Sequence, residues 1–178
     1  TSENAKYLVQ YLHDVENFNY DKIPEVMSVT RLGWIGSHGF SPYMDNVVFD
    51  GETSFQHRFD SVREQGSYTE WLKAVKKIRK SGNVPAKILL AASFASALVE
   101  PCSCLPFFVH LYGGSGTGKT VGLMLAASVW ANPMLGKYVH TFNSTAVAQE
   151  LSAGFVNSLP LILDELQIVK DKKDFDQV

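Results

Sequence analysis

The sequence feature that most constrains the fold is a glycine-rich octapeptide in the second half of the chain. It reads Gly113-Gly114-Ser115-Gly116-Thr117-Gly118-Lys119-Thr120 and matches G-x-x-x-x-G-K-[ST] at every fixed position. Glycines there let the backbone turn tightly, so that consecutive N–H groups and the start of a helix can point at an anion. Such a loop belongs between a strand and a helix, which indicates an α/β arrangement for this part of the chain.

The residues on either side of the loop agree with that placement. Residues 107–112 form a short apolar run closed by glycine, which predicts a buried strand of a parallel sheet. From Lys119 to residue 130 the chain is apolar nearly all round, and it is stopped by Asn132-Pro133, which predicts a helix under the sheet. The loop is therefore predicted to bind ATP, with Lys119 at the β- and γ-phosphates and the Thr120 hydroxyl on Mg²⁺.

A second acidic element follows where the apolar residues 159–163 end in Asp164-Glu165. A strand here would deliver both carboxylates to its C-terminal end, the edge at which open α/β sheets bind ligands. Asp164 is predicted to hold the Mg²⁺ together with Thr120, and Glu165 to polarise the water that attacks the γ-phosphate. Lys119 and Glu165 are thus the predicted catalytic residues. The alternative, two surface acids after a strand, stays open.

Between these motifs, residues 138–142 predict a third strand and residues 145–157 a helix that Asn143 or Ser144 can cap. Asn143, Ser144 and Thr145 would emerge at the ligand edge, where they either cap this helix or face the γ-phosphate. The order strand, loop, helix, strand, helix, strand predicts parallel crossovers and a doubly wound sheet. Residues 85–178 are therefore predicted to form a P-loop NTPase parallel sheet with flanking helices.

Residues 1–84 are predicted to form a separate small α+β segment. Apolar residues recur at helical spacing over residues 3–16, which predicts an amphipathic packing helix. Strands are predicted at residues 26–35, 46–49 and 54–59, with Asp50-Gly51 as the turn of a β-hairpin between the last two.

A further helix in this segment is predicted to begin at the capping box Ser67-Tyr68-Thr69-Glu70 and to end at Ser81-Gly82. One face of it is apolar, and the other carries five cations: Lys73, Lys76, Lys77, Arg79 and Lys80. Such a face is either simply solvated or contacts a phosphate backbone. The net charge of −2 for the chain and the lack of interleaved aromatic residues favour solvation.

Composition sets the remaining bounds. With 178 residues, 46% of them hydrophobic, the chain has the profile of a globular protein, and no apolar stretch has the length of a membrane span. Cys102 and Cys104 supply half a zinc site at most, and reduced thiols together with the lack of a signal peptide predict a cytoplasmic location. Because the sequence starts at Thr1 without methionine and stops soon after Asp164, we expect a longer protein, an incomplete C-terminal part of the ATPase domain and weak hydrolysis by this segment alone.

Several stretches together resemble one family, the domain of unknown function nine-two-seven. They are Leu32-Gly33-Trp34, a helix predicted over residues 86–99, the glycine loop, and residues 126–133, 141–145 and 159–167. The resemblance covers about residues 30–170, and residues 113–167 are its specific part. It implies a helicase-like P-loop ATPase of bacteria, prophages or plasmids, often linked to a primase domain, with a role in the replication of mobile DNA.

The interval from Lys119 to Asp164 leaves room for a helix, a strand and a helix, a compact core similar to that of ring-forming superfamily-three helicases. In those proteins a strand with a polar sensor residue lies between the loop strand and the acidic strand, and a neighbouring subunit supplies an arginine finger. The resemblance thus implies DNA and a homo-oligomeric ring as partners of the full-length protein. A regulatory ATPase and a P-loop kinase stay open, whereas D-E-L-Q in place of D-x-x-G disfavours a GTPase.

Overall fold

The structure is a computed structural model that describes residues 2–142 and 145–164. Its helices are α1 (Ser2–Asn19), α2 (Gln56–Ser61), α3 (Tyr68–Lys80), α4 (Val84–Ser96), α5 (Lys119–Ala127) and α6 (Ala146–Val156), with 3-10 turns at Tyr20–Lys22 and Thr53–Phe55. Its strands are β1 (Met27–Val29), β2 (Gly33–Trp34), β3 (Phe40–Ser41), β4 (Val47–Phe49), β5 (His140–Thr141) and β6 (Leu163–Asp164). The predicted mixed α/β class is confirmed at this level.

The strands pair into three small sheets. β1 and β4 are parallel, β2 and β3 form an antiparallel hairpin, and β5 and β6 are parallel, with Thr141 opposite Asp164. The structure therefore contains two parallel pairs, in line with the α/β expectation, but each described sheet is only two strands wide.

The core draws on both halves of the chain. Its buried members are Leu32, Val62, Leu89, Ala126, Ala127, Ala131, Tyr138, Val139, Phe155, Val156, Leu159 and Ile162. Helices α4 and α5 pack closely because Gly122 lies between them: a Cβ added there would be 2.8 Å from Leu89 Cδ1. This packing holds the helix that follows the glycine loop against the core.

A second close approach joins the β2 region to the end of α6. Asn157, with a φ of +49°, donates from Nδ2 to the carbonyl oxygens of Leu32 (3.2 Å) and Trp34 (3.3 Å). A Cβ added at Gly33 would lie 2.7 Å from the Ser158 Cβ, so glycine is required there both for space and for its φ of +80°. The joint connects residues more than 120 positions apart.

Helix α1 forms as predicted, but its apolar stripe is not covered in the described part of the chain. Leu8 and Leu12 remain 57% and 56% exposed, and the nearby Phe18 is 83% exposed. The expectation that this helix packs against the rest of the protein is therefore wrong for the described residues. None of the helices in residues 2–142 and 145–164 is long and apolar enough to cross a membrane.

The predicted strand over residues 54–59 is wrong, as is the hairpin at Asp50-Gly51. These residues form a 3-10 turn and α2, and β4 pairs in parallel with β1 instead. Phe55, Phe59 and Val62 recur at helical spacing, and the Phe55 and Phe155 rings stack at 4.6 Å, so burial favours a helix here. Gly51 serves a close approach: a Cβ there would lie 2.6 Å from Phe49 Cζ.

The predicted buried strand over residues 107–112 is also wrong. In the structure this segment has no regular secondary structure, and Phe108 and Tyr112 are 94% and 89% exposed. A strand is stable only beside a partner, and none of the described strands pairs with this segment. Leu111 alone among these residues is placed against the core.

The elements after the loop follow the predictions more closely. Helix α5 is three residues shorter than expected and continues into a turn, while β5, α6 and β6 form within their predicted ranges. Helix α6 is capped by Thr145, whose Oγ1 accepts a hydrogen bond from the Ala148 N–H at 3.2 Å. Asn143 and Ser144, the predicted caps, lie outside the described residues.

Helices α3 and α4 also form. Ser67 caps α3, with its Oγ accepting from the Glu70 N–H at 3.4 Å, as the capping box predicts. Helix α4 buries Leu89, Leu90 and Ser93 and leaves Ile88 about half exposed.

Candidate functional site

The glycine loop has the backbone conformation that its sequence anticipates. Gly113, Gly116 and Gly118 have φ values of +145°, +74° and +84°. A Cβ at Gly116 or Gly118 would meet nothing within 4 Å, so these positions need glycine for conformation and not for space. Gly118 is the left-handed residue at the N-cap of α5, and its carbonyl accepts from the Gly122 N–H at 2.9 Å.

Hydrogen bonds within the loop stabilise this turn. Thr117 Oγ1 donates to the Gly114 carbonyl at 2.9 Å. Residues 113–118, including Ser115, are exposed to solvent. A ligand can therefore reach the loop and the first turn of α5 without rearrangement of the core.

Lys119 is the first residue of α5, and its side chain folds back over the loop. The Nζ donates to the carbonyl oxygens of Gly113 at 2.9 Å and Gly114 at 2.7 Å. The ammonium charge is thus held beside the loop backbone, next to the start of α5, where the helix dipole also favours an anion.

Thr120 and Asp164, the two predicted metal ligands, meet in the structure. The Thr120 Oγ1 donates to the Asp164 Oδ2 at 2.7 Å, although the residues are 44 positions apart in sequence. Thr120 is on the first turn of α5 and Asp164 is the last residue of β6, so their contact places the carboxylate at the start of the loop helix. Both side chains are partly buried.

This pair has the chemistry of a hard-cation site, since Mg²⁺ prefers carboxylate and hydroxyl oxygens. The described residues contain no group of three or more His, Cys, Asp or Glu side chains that could hold a metal by themselves. Cys102 and Cys104 are exposed free thiols. A Mg²⁺ held at Thr120 and Asp164 would therefore need further oxygens from a phosphate or from water.

Three of the predicted site residues fall outside the part of the chain that the structure describes. Glu165, the predicted catalytic carboxylate, lies outside the described residues, as do Asn143 and Ser144. Thr145 is described, and its side chain caps α6, which agrees with the capping alternative for this residue.

Sequence reasoning missed a buried cationic cluster beside β5. Arg58 of α2 is 4% exposed, and its Nε donates to the His140 Nε2 at 2.7 Å. The guanidinium carbon lies 5.8 Å and 6.0 Å from the ring centroids of Phe55 and Phe155. Among the described residues, the Arg58 Nη1 atom is buried without a hydrogen-bond partner. The helical spacing of Phe55, Phe59 and Val62 was the one available signal.

The cluster holds His140 in its neutral form. Burial lowers the pKa of His140 to about 4, and the nearby charges of Arg58 and His57 act in the same direction. A hydrogen bond with the Lys137 backbone raises this pKa and offsets part of the shift. Neutral His140 accepts through Nε2, so its proton is on Nδ1. Because His140 precedes Thr141, which pairs with Asp164, the cluster supports the strand beside the Thr120–Asp164 contact.

A family model described as a domain of unknown function (DUF927) matches residues 1–178. The chain belongs to this family. The resemblance predicted from residues 30–170 is thereby confirmed and extended to the whole sequence, while the family description itself assigns no activity. Curated proteins and solved structures gave no significant match.

Proposed function

We propose that this DUF927 chain binds ATP and Mg²⁺ and forms the ATPase core of a helicase-like motor that acts in the replication of phage or mobile-element DNA. The observation that carries the proposal is the 2.7 Å contact between Thr120 and Asp164 at the start of α5. A glycine loop with three positive φ angles precedes that helix, and a lysine charge lies over the loop. These are the parts that a nucleotide phosphate site needs.

The loop would bind the phosphates through backbone N–H groups and the N-terminus of α5. The Lys119 ammonium would exchange the Gly113 and Gly114 carbonyls for phosphate oxygens, which are stronger acceptors because they are charged. The exposed surface of residues 113–118 supports access for a ligand as large as ATP.

Thr120 and Asp164 would hold the Mg²⁺. When bound, the ion neutralises charge on the phosphates. The existing hydrogen bond keeps the hydroxyl and the carboxylate within reach of one ion before it arrives, so little reorganisation is needed. Glu165 is proposed to accept a proton from the attacking water; it follows Asp164 directly in sequence.

The finer parts of this proposal rest on the resemblance and on the site together. The parallel pair β5–β6 with helices α5 and α6 supports a P-loop NTPase sheet, of which the described residues form a small part. DNA, a ring of identical subunits and a primase partner are proposed from the resemblance.

Mg·ATP binding tests the proposal directly. At a ligand concentration about a hundred times Kd, binding would stabilise the folded state by about 2.7 kcal/mol, which is visible as a rise in Tm. Lys119→Ala should lose most of that rise, whereas Lys137→Ala, another exposed lysine, should keep it. An equal rise in Tm for wild type and Lys119→Ala would remove the role of this lysine.

The motor part of the proposal has a separate measurement. Single-stranded DNA should raise the ATP turnover of the full-length protein. ATP hydrolysis that is indifferent to DNA would instead indicate a regulatory ATPase.

A further inference from the structure

Helix α3 carries four lysines on one face. Lys73, Lys76, Lys77 and Lys80 are spaced i, i+3, i+4 and i+7, which places them side by side along the helix. All four side chains are exposed, and together with Ser81 they line an open depression of about 520 Å³. We call these four residues the lysine face.

The charge of the lysine face is poorly compensated within the described part of the chain. Lys73 forms an ion pair with Glu70 at 2.7 Å, and Lys76, Lys77 and Lys80 form none with the residues that the structure describes. Like charges at i, i+4 repel one another, although the C-terminal end of α3 favours the cations in its last turn, Lys77 and Lys80 among them. The chain as a whole has a net charge of −2, so the positive patch is a local feature.

The opposite side of α3 is anchored to the helix that begins at the glycine loop. Val75 is buried, and the Trp71 Nε1 donates to the Ser128 Oγ at 3.0 Å. Ser128 directly follows α5, and its Oγ donates to the Leu125 carbonyl at 2.7 Å. The lysine face is therefore held on a helix in direct contact with the end of α5.

We propose that the lysine face binds the phosphate backbone of single-stranded DNA. Charge complementarity carries this assignment: a row of four ammonium groups about 10 Å long matches several consecutive phosphates of an extended strand. The choice of DNA as the occupant rests on the proposed function. Contact through phosphates alone makes the binding independent of base sequence.

The test is fluorescence anisotropy with a labelled single-stranded DNA oligonucleotide over a series of salt concentrations. The variant Lys76→Gln/Lys77→Gln/Lys80→Gln should bind roughly tenfold more weakly or worse for every base sequence. Its log–log salt slope should fall by about 2, because each phosphate contact on a single strand contributes about 0.7. Glutamine is a good helix former, so α3 should persist, which circular dichroism checks.

A matched control removes three exposed lysines elsewhere. Lys6→Gln/Lys22→Gln/Lys137→Gln carries the same change in net charge and should bind DNA nearly as wild type does. The charge-retaining variant Lys76→Arg/Lys77→Arg/Lys80→Arg should also bind. Three results would overturn the proposal. They are equal losses of affinity in both glutamine variants, wild-type affinity of Lys76→Gln/Lys77→Gln/Lys80→Gln, and no binding of DNA by the wild type.

Two further experiments distinguish single-stranded DNA from other ligands, and failure of this proposal from failure of the ATPase proposal. Displacement of the oligonucleotide by poly-glutamate at equal charge concentration would indicate that the ligand is an acidic polypeptide. Tighter binding of duplex than of single-stranded DNA would indicate that the ligand is double-stranded DNA. Either result overturns the proposal. The lysine-face variant should keep the rise in Tm with Mg·ATP. If the wild type lacks that rise but shows the expected DNA pattern, the ATPase proposal fails and the lysine face stands.

Discussion

Two cationic side chains lie near the β5–β6 pair in opposite environments. Lys119 is close to solvent at the glycine loop, and its ammonium is hydrogen-bonded to two backbone carbonyls. Arg58 is buried between aromatic rings, bonded to a neutral histidine, with one guanidinium nitrogen lacking a partner among the described residues. The first charge can exchange its partners for an incoming anion, whereas the second is enclosed. Lys119 is therefore a charge proposed to bind a ligand, whereas Arg58 is a charge within the packing.

The largest expected effect concerns the carboxylates at the loop side of this comparison. In the full-length protein, Glu165→Gln should cut ATP turnover by roughly 10² or more while leaving nucleotide binding nearly intact, because only a proton acceptor is lost. Asp164→Asn should instead weaken Mg²⁺-dependent binding, because it removes a charge from the proposed metal site. Turnover assays and Mg²⁺ titrations distinguish the two phenotypes, and wild-type turnover of Glu165→Gln would remove its assigned role.

A smaller effect is expected from the loop backbone. Gly118→Ala forces a side chain into a φ of +84° and should cost about 1–2 kcal/mol in the stability of the loop conformation, with a matching loss of ATP affinity. Gly154→Ala is the matched control, because Gly154 is in α6 without a positive φ and a Cβ there meets nothing within 4 Å. It should stabilise the protein by about 0.4–1 kcal/mol. Denaturation and ATP titration of both variants measure these opposite signs.

A further expected effect belongs to the buried cluster and appears as pH dependence. The pKa of His140 is about 4 in the folded protein and near 6.5 in an unfolded chain, so between these values the unfolded state binds more protons. The free energy of unfolding should therefore fall as pH falls from 6.5 to 4. Denaturation at a series of pH values measures this dependence. The plot of unfolding free energy against pH should be flatter for His140→Gln and should keep its slope for His13→Gln, which replaces an exposed histidine.

Arg58→Met sharpens the same measurement. Removing the guanidinium charge should raise the pKa of His140 toward its ordinary value, since Arg58 contributes to lowering it. An NMR titration of the His140 ring that gave the same pKa in wild type and Arg58→Met would show that burial and His57 lower the pKa without a contribution from Arg58.

The comparison also explains how much the sequence could predict. The positive φ angles of the glycine loop and the start of α5 at Lys119 are local features, since neighbouring residues determine them, and the structure has both. The contact with Asp164 could be anticipated because a strand after a helix returns to the same edge. Arg58 could not, because its burial depends on Phe155 and His140, which are distant in sequence.

The two failed strand predictions have the same physical origin. An apolar run such as residues 107–112 specifies a preference for burial but not a partner, and none of the described strands pairs with it. For residues 54–59, the turn residues Asp50-Gly51 predict a hairpin strand, whereas the helical spacing of the phenylalanines favours the helix that forms. Pairing and packing across long separations decided both cases.

The joint between the β2 region and the end of α6 bears on the order of folding. Asn157 bonds to the carbonyls of Leu32 and Trp34 across 125 and 123 residues, and Ser158 fits only against a glycine at position 33. Contacts of such separation carry a high loop-closure entropy and slow the search for the native state. During synthesis on a ribosome, Leu32 and the early strands therefore stay exposed to solvent until α6 has been made. During that interval the nascent chain would be most dependent on chaperones.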